Sequence, residues 1–246
     1  MAQKKVSAEK RTLKKKPAPR KTKSPARKHA ALTPVELAAE RRRMVEIVKI
    51  LKREYPEARC SLTYCNAFEL LIATILSAQC TDERVNKTTP ALFKRLSTPQ
   101  AMSQAPLAEI EKLIQSTGFY KNKAKALKEC SRAIVELYGG EVPAEQEKLT
   151  GLRGVGRKTA NVVLGNVFEI PGIVVDTHVG RLARRMGFTR HLDPVKVEYE
   201  LMEIVVREDW TQSNHLMIEH GRQVCTARRA FCERCALSRF CPKIGV

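Results

Sequence analysis

The stretch GLRGVGRKTANVV, residues Gly151 to Val163, is the most informative part of this chain. Gly151 and Gly154 can both adopt positive φ angles, which favours a tight turn between two helices. Gly156 has no side chain, so the N–H groups that open the next helix can approach a phosphate, and the helix dipole favours an anion there. The stretch therefore predicts a helical hairpin that grips one phosphate through its backbone without contacting a base.

Lys158 lies in the first turn of the helix that follows this hairpin. The helix dipole disfavours a protonated amine at this end, and partial burial would act in the same direction. An amine without its proton is a nucleophile that can attack a carbonyl or an electrophilic sugar carbon. A nucleotide P-loop is a weaker interpretation, because Arg157 interrupts its pattern and no strand precedes it. A hairpin with a purely structural glycine turn is the other alternative.

From Thr33 onward the sequence predicts helices almost throughout. Thr33 and Pro34 are typical of a helix start, and apolar residues then recur at helical spacing from Met44 to Tyr55. Residues 68–79 are apolar on nearly every side, which predicts a helix buried by its neighbours. Further helices are predicted from Pro106, over Asn122–Tyr138, over Thr177–Met186, from Asp193-Pro194, and from near Trp210 to Gly221. Strand-like alternation is nowhere sustained, so we predict an all-α fold.

The charge of the chain favours a polyanionic partner, nucleic acid before others. The formal net charge is +19, of which residues 1–28 contribute +11 through twelve Lys or Arg and one acid. Residues 1–30 contain few large apolar groups, so we expect a disordered basic tail. No apolar run approaches the ~20 residues of a membrane helix, and the N-terminus lacks the apolar core of a signal peptide. We therefore expect a soluble protein, cytoplasmic if the source is bacterial.

The cysteines divide into two groups. Four are scattered through helical segments and are expected to be reduced packing residues. The other four are crowded near the C-terminus with spacings of x6, x2 and x5, namely Cys225, Cys232, Cys235 and Cys241. Four thiols within seventeen residues predict a metal site. Zinc is the general alternative, but the spacing differs from the paired C-x2-C pattern of zinc ribbons.

Three of these patterns together resemble one family. LRGVGRKTANVVL resembles the helix-hairpin-helix motif of the base-excision DNA glycosylases of the endonuclease III family, IPGIVVDTHVGRLARRMG resembles its second motif, and the cysteine spacing resembles its cluster loop. The resemblance covers roughly residues 35–242. It implies two helical lobes with a DNA-binding cleft between them. One lobe is residues 60–170, with the hairpin at about 146–165, and the other joins residues 31–59 to the cluster region at 171–246.

The resemblance also implies the catalytic residues. In the family, the lysine at the position of Lys158 attacks the deoxyribose C1′, forms a Schiff base and cuts the strand by β-elimination. Asp176 would face this lysine, stabilise positive charge on the sugar and help to move protons. The sequence alone favours a helix N-cap for Asp176, and the two roles are compatible. We expect His178 to be mainly structural.

The DNA contacts and the cofactor are implied in the same way. Gln79 matches a glutamine that fills the gap left by an extruded base. Phe119 stands where the family often has a leucine wedge, although a contact at a helix C-terminus is an equal alternative. The resemblance implies a [4Fe–4S] cluster on the four terminal cysteines. The hairpin backbone at Gly154, Val155 and Gly156 is the phosphate contact predicted above. Arg228 and Arg229 lie between the first two cluster ligands, so a loop fixed by the metal would hold them ready for DNA phosphates. Asp82 also matches a family motif, without an assigned role.

These expectations lead to one function and two alternatives. We predict a monomeric DNA glycosylase and AP lyase that removes oxidised pyrimidines from double-stranded DNA. A monofunctional adenine or mismatch glycosylase is the first alternative, but such relatives lack a lysine at the position of Lys158. A non-enzymatic iron–sulfur protein that binds DNA or senses redox state is the second.

Overall fold

The computed structural model describes residues 32–246, and the predicted disordered basic tail of residues 1–30 lies outside this range. The described chain contains eleven α-helices, and its β-structure is limited to one isolated bridge between Cys225 and Ala230. The all-α prediction is confirmed. The helices are α1 Pro34–Glu54, α2 Ala67–Leu76, α3 Asp82–Arg95, α4 Pro99–Gln104, α5 Leu107–Ile114, α6 Tyr120–Tyr138, α7 Gln146–Thr150, α8 Arg157–Val167, α9 Thr177–Arg185, α10 Pro194–Ile204 and α11 Trp210–Gln223. Within residues 32–246, no helix is both long enough and apolar enough to cross a bilayer.

Helix starts are set mostly by local capping. At α1, the Thr33 hydroxyl accepts from the Glu36 N–H, and the Glu36 carboxylate accepts from the Thr33 N–H, which is a complete capping box. At α10, Asp193 caps the first turn and Pro194 occupies its first position. Both starts lie where the sequence predicts them, because the groups involved are only a few residues apart.

The helix predicted over residues 68–79 ends earlier than expected. α2 stops at Leu76, and Gln79 lies beyond it with a φ of 53°, in the left-handed region. The buried run ends at Leu76, and residues 77–80 are partly or fully exposed. α3 and α4 are not among the helices predicted above, although Thr81 caps α3 in the ordinary way. Pro90 lies inside α3.

Buried apolar residues form two clusters. The first draws on α2 to α8 and runs from Leu62 to Leu164. The second combines α1 with α9, α10 and α11, over 44–58 and 173–237. The boundaries predicted for the two lobes stay a prediction.

The predicted helical hairpin is formed by α7 and α8. Gly154 has a φ of 80°, and a Cβ there would lie 3.1 Å from the Cβ of Ala126 on α6, so this position needs glycine for both conformation and space. The positive φ expected at Gly151 is wrong. Gly151 has a φ of −73° because its N–H still donates to Glu147 O and closes the last turn of α7.

Candidate active site

A cleft of about 140 Å³ lies between the two apolar clusters. Its walls come from the loop before α2, the C-terminal part of α2, the start of α3, one face of α8, the segment before α9, and α11. Both predicted catalytic residues, Lys158 and Asp176, line this cleft. The other lining residues are Cys60, Ser61, Leu62, Thr74, Ser77, Asp82, Val162, Asn166, Val174, Asn214, His215, Ile218 and Arg222.

Lys158 is the second residue of α8 and is exposed. The partial burial expected for it is therefore wrong. The first turn of a helix that begins at the mouth of a cleft has neighbours on one side only, so a long side chain there stays accessible. Accessibility suits a group that must meet a substrate entering from solvent.

Asp176 is the N-cap of α9. Its Oδ1 accepts from the N–H groups of His178, at 2.9 Å, and Val179, at 2.8 Å. No hydrogen bond within residues 32–246 uses Oδ2. One carboxylate oxygen therefore fixes the helix start and the other is available to the cleft, so the predicted cap and the predicted catalytic position are compatible.

The segment that carries Asp176 is held by two asparagines that the sequence analysis does not single out. The Asn161 side chain on α8 donates to Ile173 O at 2.9 Å. The Asn214 side chain on α11 accepts from Val174 N at 3.0 Å and donates to Gly172 O at 2.9 Å. These bonds tie Asp176 to the helix of Lys158. The partners in these hydrogen bonds are up to 42 residues apart in the sequence, so no local sequence pattern indicates them.

Arg157 connects α8 to α10. Its guanidinium contacts both carboxylate oxygens of Glu198, with the nearest pair 2.8 Å apart, and Glu198 is only 6% exposed. Asn161 also donates to Glu198, at 3.0 Å. The residue that interrupts the P-loop pattern is thus a bridge between the hairpin and the second apolar cluster.

Several polar side chains line the cleft beside Lys158 and Asp176. Asp82 accepts from the Ser61 hydroxyl and pairs with Arg222 at 3.0 Å. His215 Nε2 lies 2.9 Å from Asn166 Oδ1, and burial lowers the pKa of His215 below its ordinary value. Of these residues only Asp82 follows from the sequence patterns. These groups can donate to and accept from ring oxygens and hydroxyls of a bound ligand.

Gln79 and Phe119 are both exposed and both have a left-handed backbone, with φ angles of 53° and 48°. Phe119 is 67% exposed and occupies the N-cap position of α6, where it makes no side-chain cap. This exposure favours the wedge over a packing contact at the C-terminus of the preceding helical turn, and both roles stay predictions. An exposed aromatic ring held on a strained backbone is typical of a residue that meets a partner.

The hairpin presents backbone donors at the start of α8. Gly156 caps this helix without a side-chain hydrogen bond, and a Cβ at Gly156 would meet no atom within 4 Å. The Val155 side chain is buried, and its N–H donates to Leu152 O. The open side of the turn is therefore at Gly156 and the N–H groups that follow it.

The four terminal cysteines line a single cavity beneath α9 and α11. The Arg185 guanidinium donates to Cys225 Sγ at 3.3 Å, and Lys243 N donates to Cys241 Sγ at 3.4 Å, contacts that favour thiolates. Burial raises the pKa of the Cys235 and Cys241 thiols, which a bound metal centre would offset. Within residues 32–246, no three His, Cys, Asp or Glu side chains are close enough to hold a single metal ion. A donor set of four thiols around one cavity fits an iron–sulfur cluster.

Arg228 and Arg229 are exposed on the loop between Cys225 and Cys232. Arg229 lies 3.6 Å from Glu233 and 4.8 Å from the Phe231 ring. Such an exposed ion pair is weak, so the guanidinium can exchange its partner for a phosphate.

Comparison with known proteins shows the family of this chain. Residues 72–207 match the model of the HhH-GPD superfamily of base excision DNA repair proteins. The chain is 50% identical to endonuclease III of Synechocystis sp., over 84% of this chain and 95% of that protein. It is 39% identical to endonuclease III of Escherichia coli K12, over 80% of this chain and 93% of that protein. The chain belongs to the HhH-GPD superfamily and, within it, to the endonuclease III family.

Solved structures give the same result for the fold. A non-covalent endonuclease III–DNA complex matches with a TM-score of 0.78 and 42% identity, over 82% of this chain and 95% of that one. A trapped covalent endonuclease III–DNA intermediate also matches with a TM-score of 0.78 and 42% identity, over 82% of this chain and 96% of that one. A thermostable thymine-DNA glycosylase matches with a TM-score of 0.76 and 26% identity, over 84% of this chain and 98% of that one.

Proposed function

We propose that this chain is a bifunctional DNA glycosylase and AP lyase of base excision repair, acting on double-stranded DNA. One observation carries the proposal. An accessible amine, Lys158, and a carboxylate, Asp176, line the same cleft in a chain 42% identical to an endonuclease III that has been trapped covalently on DNA. In a bacterium such an enzyme works in the cytoplasm, where the DNA is.

The two side chains are suited to one sequence of steps. The Lys158 amine attacks C1′ of the deoxyribose, and the bond to the damaged base breaks with its electron pair going to the base, which takes up a proton. The Asp176 carboxylate stabilises the positive charge that develops on the sugar. Loss of a proton from nitrogen and opening of the ring give a Schiff base, and removal of a C2′ proton then expels the 3′ phosphate.

The substrate that we propose is an oxidised pyrimidine. The cleft, of about 140 Å³, has room for an extruded base beside Lys158 and Asp176. Its wall of hydroxyl, carboxylate, guanidinium and amide groups can pair with the added oxygens of an oxidised base. Such a base must leave the stack to reach the cleft.

We propose that the DNA is held by three surfaces. The turn formed by Gly154, Val155 and Gly156 holds one phosphate, with Gly156 and the N–H groups after it as donors, since the Val155 N–H already donates to Leu152 O. Gln79 fills the gap left by the extruded nucleotide and Phe119 wedges beside it, supported by the exposure of both. On the cluster loop, Arg228 and Arg229 bind further phosphates.

We also propose that Cys225, Cys232, Cys235 and Cys241 hold a [4Fe–4S] cluster. When bound, the cluster would fix the loop that carries the two arginines, and it supplies no step of the reaction above. The lobes would be residues 60–170 and residues 31–59 with 171–246, each built around one apolar cluster.

The experiment that tests the function is borohydride trapping on abasic-site duplex DNA, followed by peptide mapping. We expect a covalent adduct on Lys158 in the unmodified protein, because borohydride reduces a Schiff base to a stable amine. Lys158→Gln should lose the adduct and strand cutting, by roughly 10³-fold or more, while DNA affinity is retained. Lys87→Gln is a matched control, since Lys87 is exposed on α3 and pairs with Glu83.

The alternatives give different results. Base release without an adduct or strand cutting would indicate a monofunctional glycosylase. No base release by the unmodified protein would indicate a DNA-binding or redox-sensing module. An adduct on another amine would contradict the role of Lys158.

A further inference from the structure

Lys123 on α6 is a buried cation with an unusual set of partners. Lys123 is only 6% exposed, and its ammonium group donates hydrogen bonds to two main-chain carbonyl oxygens, Leu76 O at 2.8 Å and Thr117 O at 2.9 Å. Burial lowers the pKa of Lys123, against a smaller opposing effect of Cys80. Burying an ammonium is costly, so a lysine at this position needs a structural reason.

The two carbonyl groups belong to the ends of two separate helical segments. Leu76 is the last residue of α2, and Thr117 is the last residue of a 3-10 turn, Gln115–Thr117, that continues α5. The last carbonyl groups of a helix have no partner within it, and the helix dipole makes this end negative. Lys123 therefore acts as one cationic cap shared by two helix C-termini.

Both capped ends lead directly into the residues proposed to enter DNA. Gln79 lies three residues beyond Leu76, and Phe119 lies two residues beyond Thr117. Both have positive φ angles, which are strained for residues other than glycine and persist only where surrounding contacts fix them. The contacts that fix the starting points of these two loops meet at a single ammonium group.

We propose that Lys123 is a positioning residue that sets the spacing of Gln79 and Phe119, so that both side chains enter the base stack together. This inference rests on the proposed function. Extruding a nucleotide from the stack is unfavourable, and two inserted side chains offset this cost only if they arrive in the correct geometry. The requirement applies to duplex DNA, because a single strand offers no opposite base or closed stack to penetrate.

The test compares two substrates and two variants. Lys123→Met keeps the length of the side chain and removes its donors. Lys128→Met is the matched control, because Lys128 is also partly buried on α6 and donates to one carbonyl, Ala105 O, which leads to neither proposed DNA contact. Each protein is assayed for base excision from duplex DNA and for cutting of a single-stranded abasic oligonucleotide.

We expect Lys123→Met to lose duplex excision by roughly 10- to 100-fold, the effect of a misplacement of about 1 Å, and to keep single-strand cutting. Lys128→Met should keep both. In a background of Gln79→Ala and Phe119→Ala, adding Lys123→Met should reduce duplex excision little further, since residues that act as a unit are not additive. A thermal melt checks folding, and Lys123→Gln, which can still donate to one carbonyl, replaces Lys123→Met if that variant does not fold.

Unchanged duplex excision, equal losses on both substrates by a folded variant, or additive losses in the Gln79→Ala and Phe119→Ala background would overturn the inference. Failure of the proposed function looks different, because the unmodified protein would then neither release a base nor cut either substrate.

Discussion

Asp176 combines two tasks that substitutions can separate. Its Oδ1 caps α9, Oδ2 takes no part in the cap, and the residue lines the same cleft as Lys158. Asparagine caps a helix about as well as aspartate but carries no charge. Alanine provides neither the cap nor the charge.

We predict that Asp176→Asn lowers strand cutting by about 10²- to 10⁴-fold, the range of acid–base and electrostatic contributions, with little change in thermal stability. Asp176→Ala should lower the rate of strand cutting by a similar factor, and it should also lower the free energy of unfolding by about 1 kcal/mol. Single-turnover cutting and thermal melts measure the two effects. Full activity of Asp176→Asn would show that capping is the only role of this residue.

His215 provides a pH-dependent contribution to stability. Burial lowers its pKa below the ordinary value of 6.5, with a smaller opposing effect of Glu219. As the pH falls below about 6.5, the unfolded chain takes up a proton that the folded chain does not, so the folded state loses stability. Above this pH the contribution is fully present.

We therefore predict that the free energy of unfolding falls between pH 7 and pH 5, and that it falls less steeply in His215→Asn. Denaturant melts at a series of pH values measure the difference, with His191→Asn as a comparison from another part of the fold. Identical slopes for His215→Asn and the unmodified protein would contradict the effect.

At the scale of elements, the hairpin contains two glycines with different requirements. Gly154 needs a positive φ and lies against Ala126 of α6, whereas Gly156 has a φ of −95° and open space around its Cα. The first glycine is required by the fold. We propose that the second is required by the phosphate.

We predict that Gly154→Ala lowers the free energy of unfolding by about 1–3 kcal/mol. Alanine is strained at a positive φ, and its Cβ would lie 3.1 Å from the Cβ of Ala126. Gly156→Ala should fold normally but bind duplex DNA more weakly, because its methyl group occupies the space of the phosphate. Gly151→Ala is the control, with an ordinary φ and its nearest contact at 3.4 Å. Thermal melts measure the stability of each variant, and titrations measure its affinity for duplex DNA. If Gly156→Ala bound DNA as tightly as the unmodified protein, the phosphate contact would be excluded.

The helices themselves were predictable to the extent that their limits are local. The capping groups of α1 and α10 lie within three residues of each other, so the sequence alone indicates where these helices begin. The end of α2 and the backbone of Phe119 were not predictable in this way. Both lie near main-chain carbonyl groups, Leu76 O and Thr117 O, that accept from Lys123, and Lys123 is 47 residues from Leu76.

At the scale of the whole molecule, the cysteine cavity joins distant parts of the chain. It is lined by residues of α9, α11 and the C-terminal segment, including Leu182, His220 and Leu237. A bound cluster would link these elements, so its loss should affect stability as well as DNA binding.

We predict that Cys235→Ser lowers the iron content and the thermal midpoint of the purified protein. Cys65→Ser should change neither, since Cys65 is exposed and lies outside the cavity. Metal analysis and a thermal melt provide the measurements. Zinc in place of iron in the unmodified protein would contradict the cluster and favour the zinc alternative.

The sequence by itself determined the all-α fold and the hairpin, because helical periodicity and glycine turns are local properties, and its motifs implied the roles of Lys158 and Asp176 through a family resemblance. Only the tertiary structure decided that Lys158 is accessible, that Asn161 and Asn214 hold the segment of Asp176, and that Lys123 joins two loops. These features depend on groups brought together from distant parts of the chain. Their contacts form only when the helices that carry these groups have packed against each other.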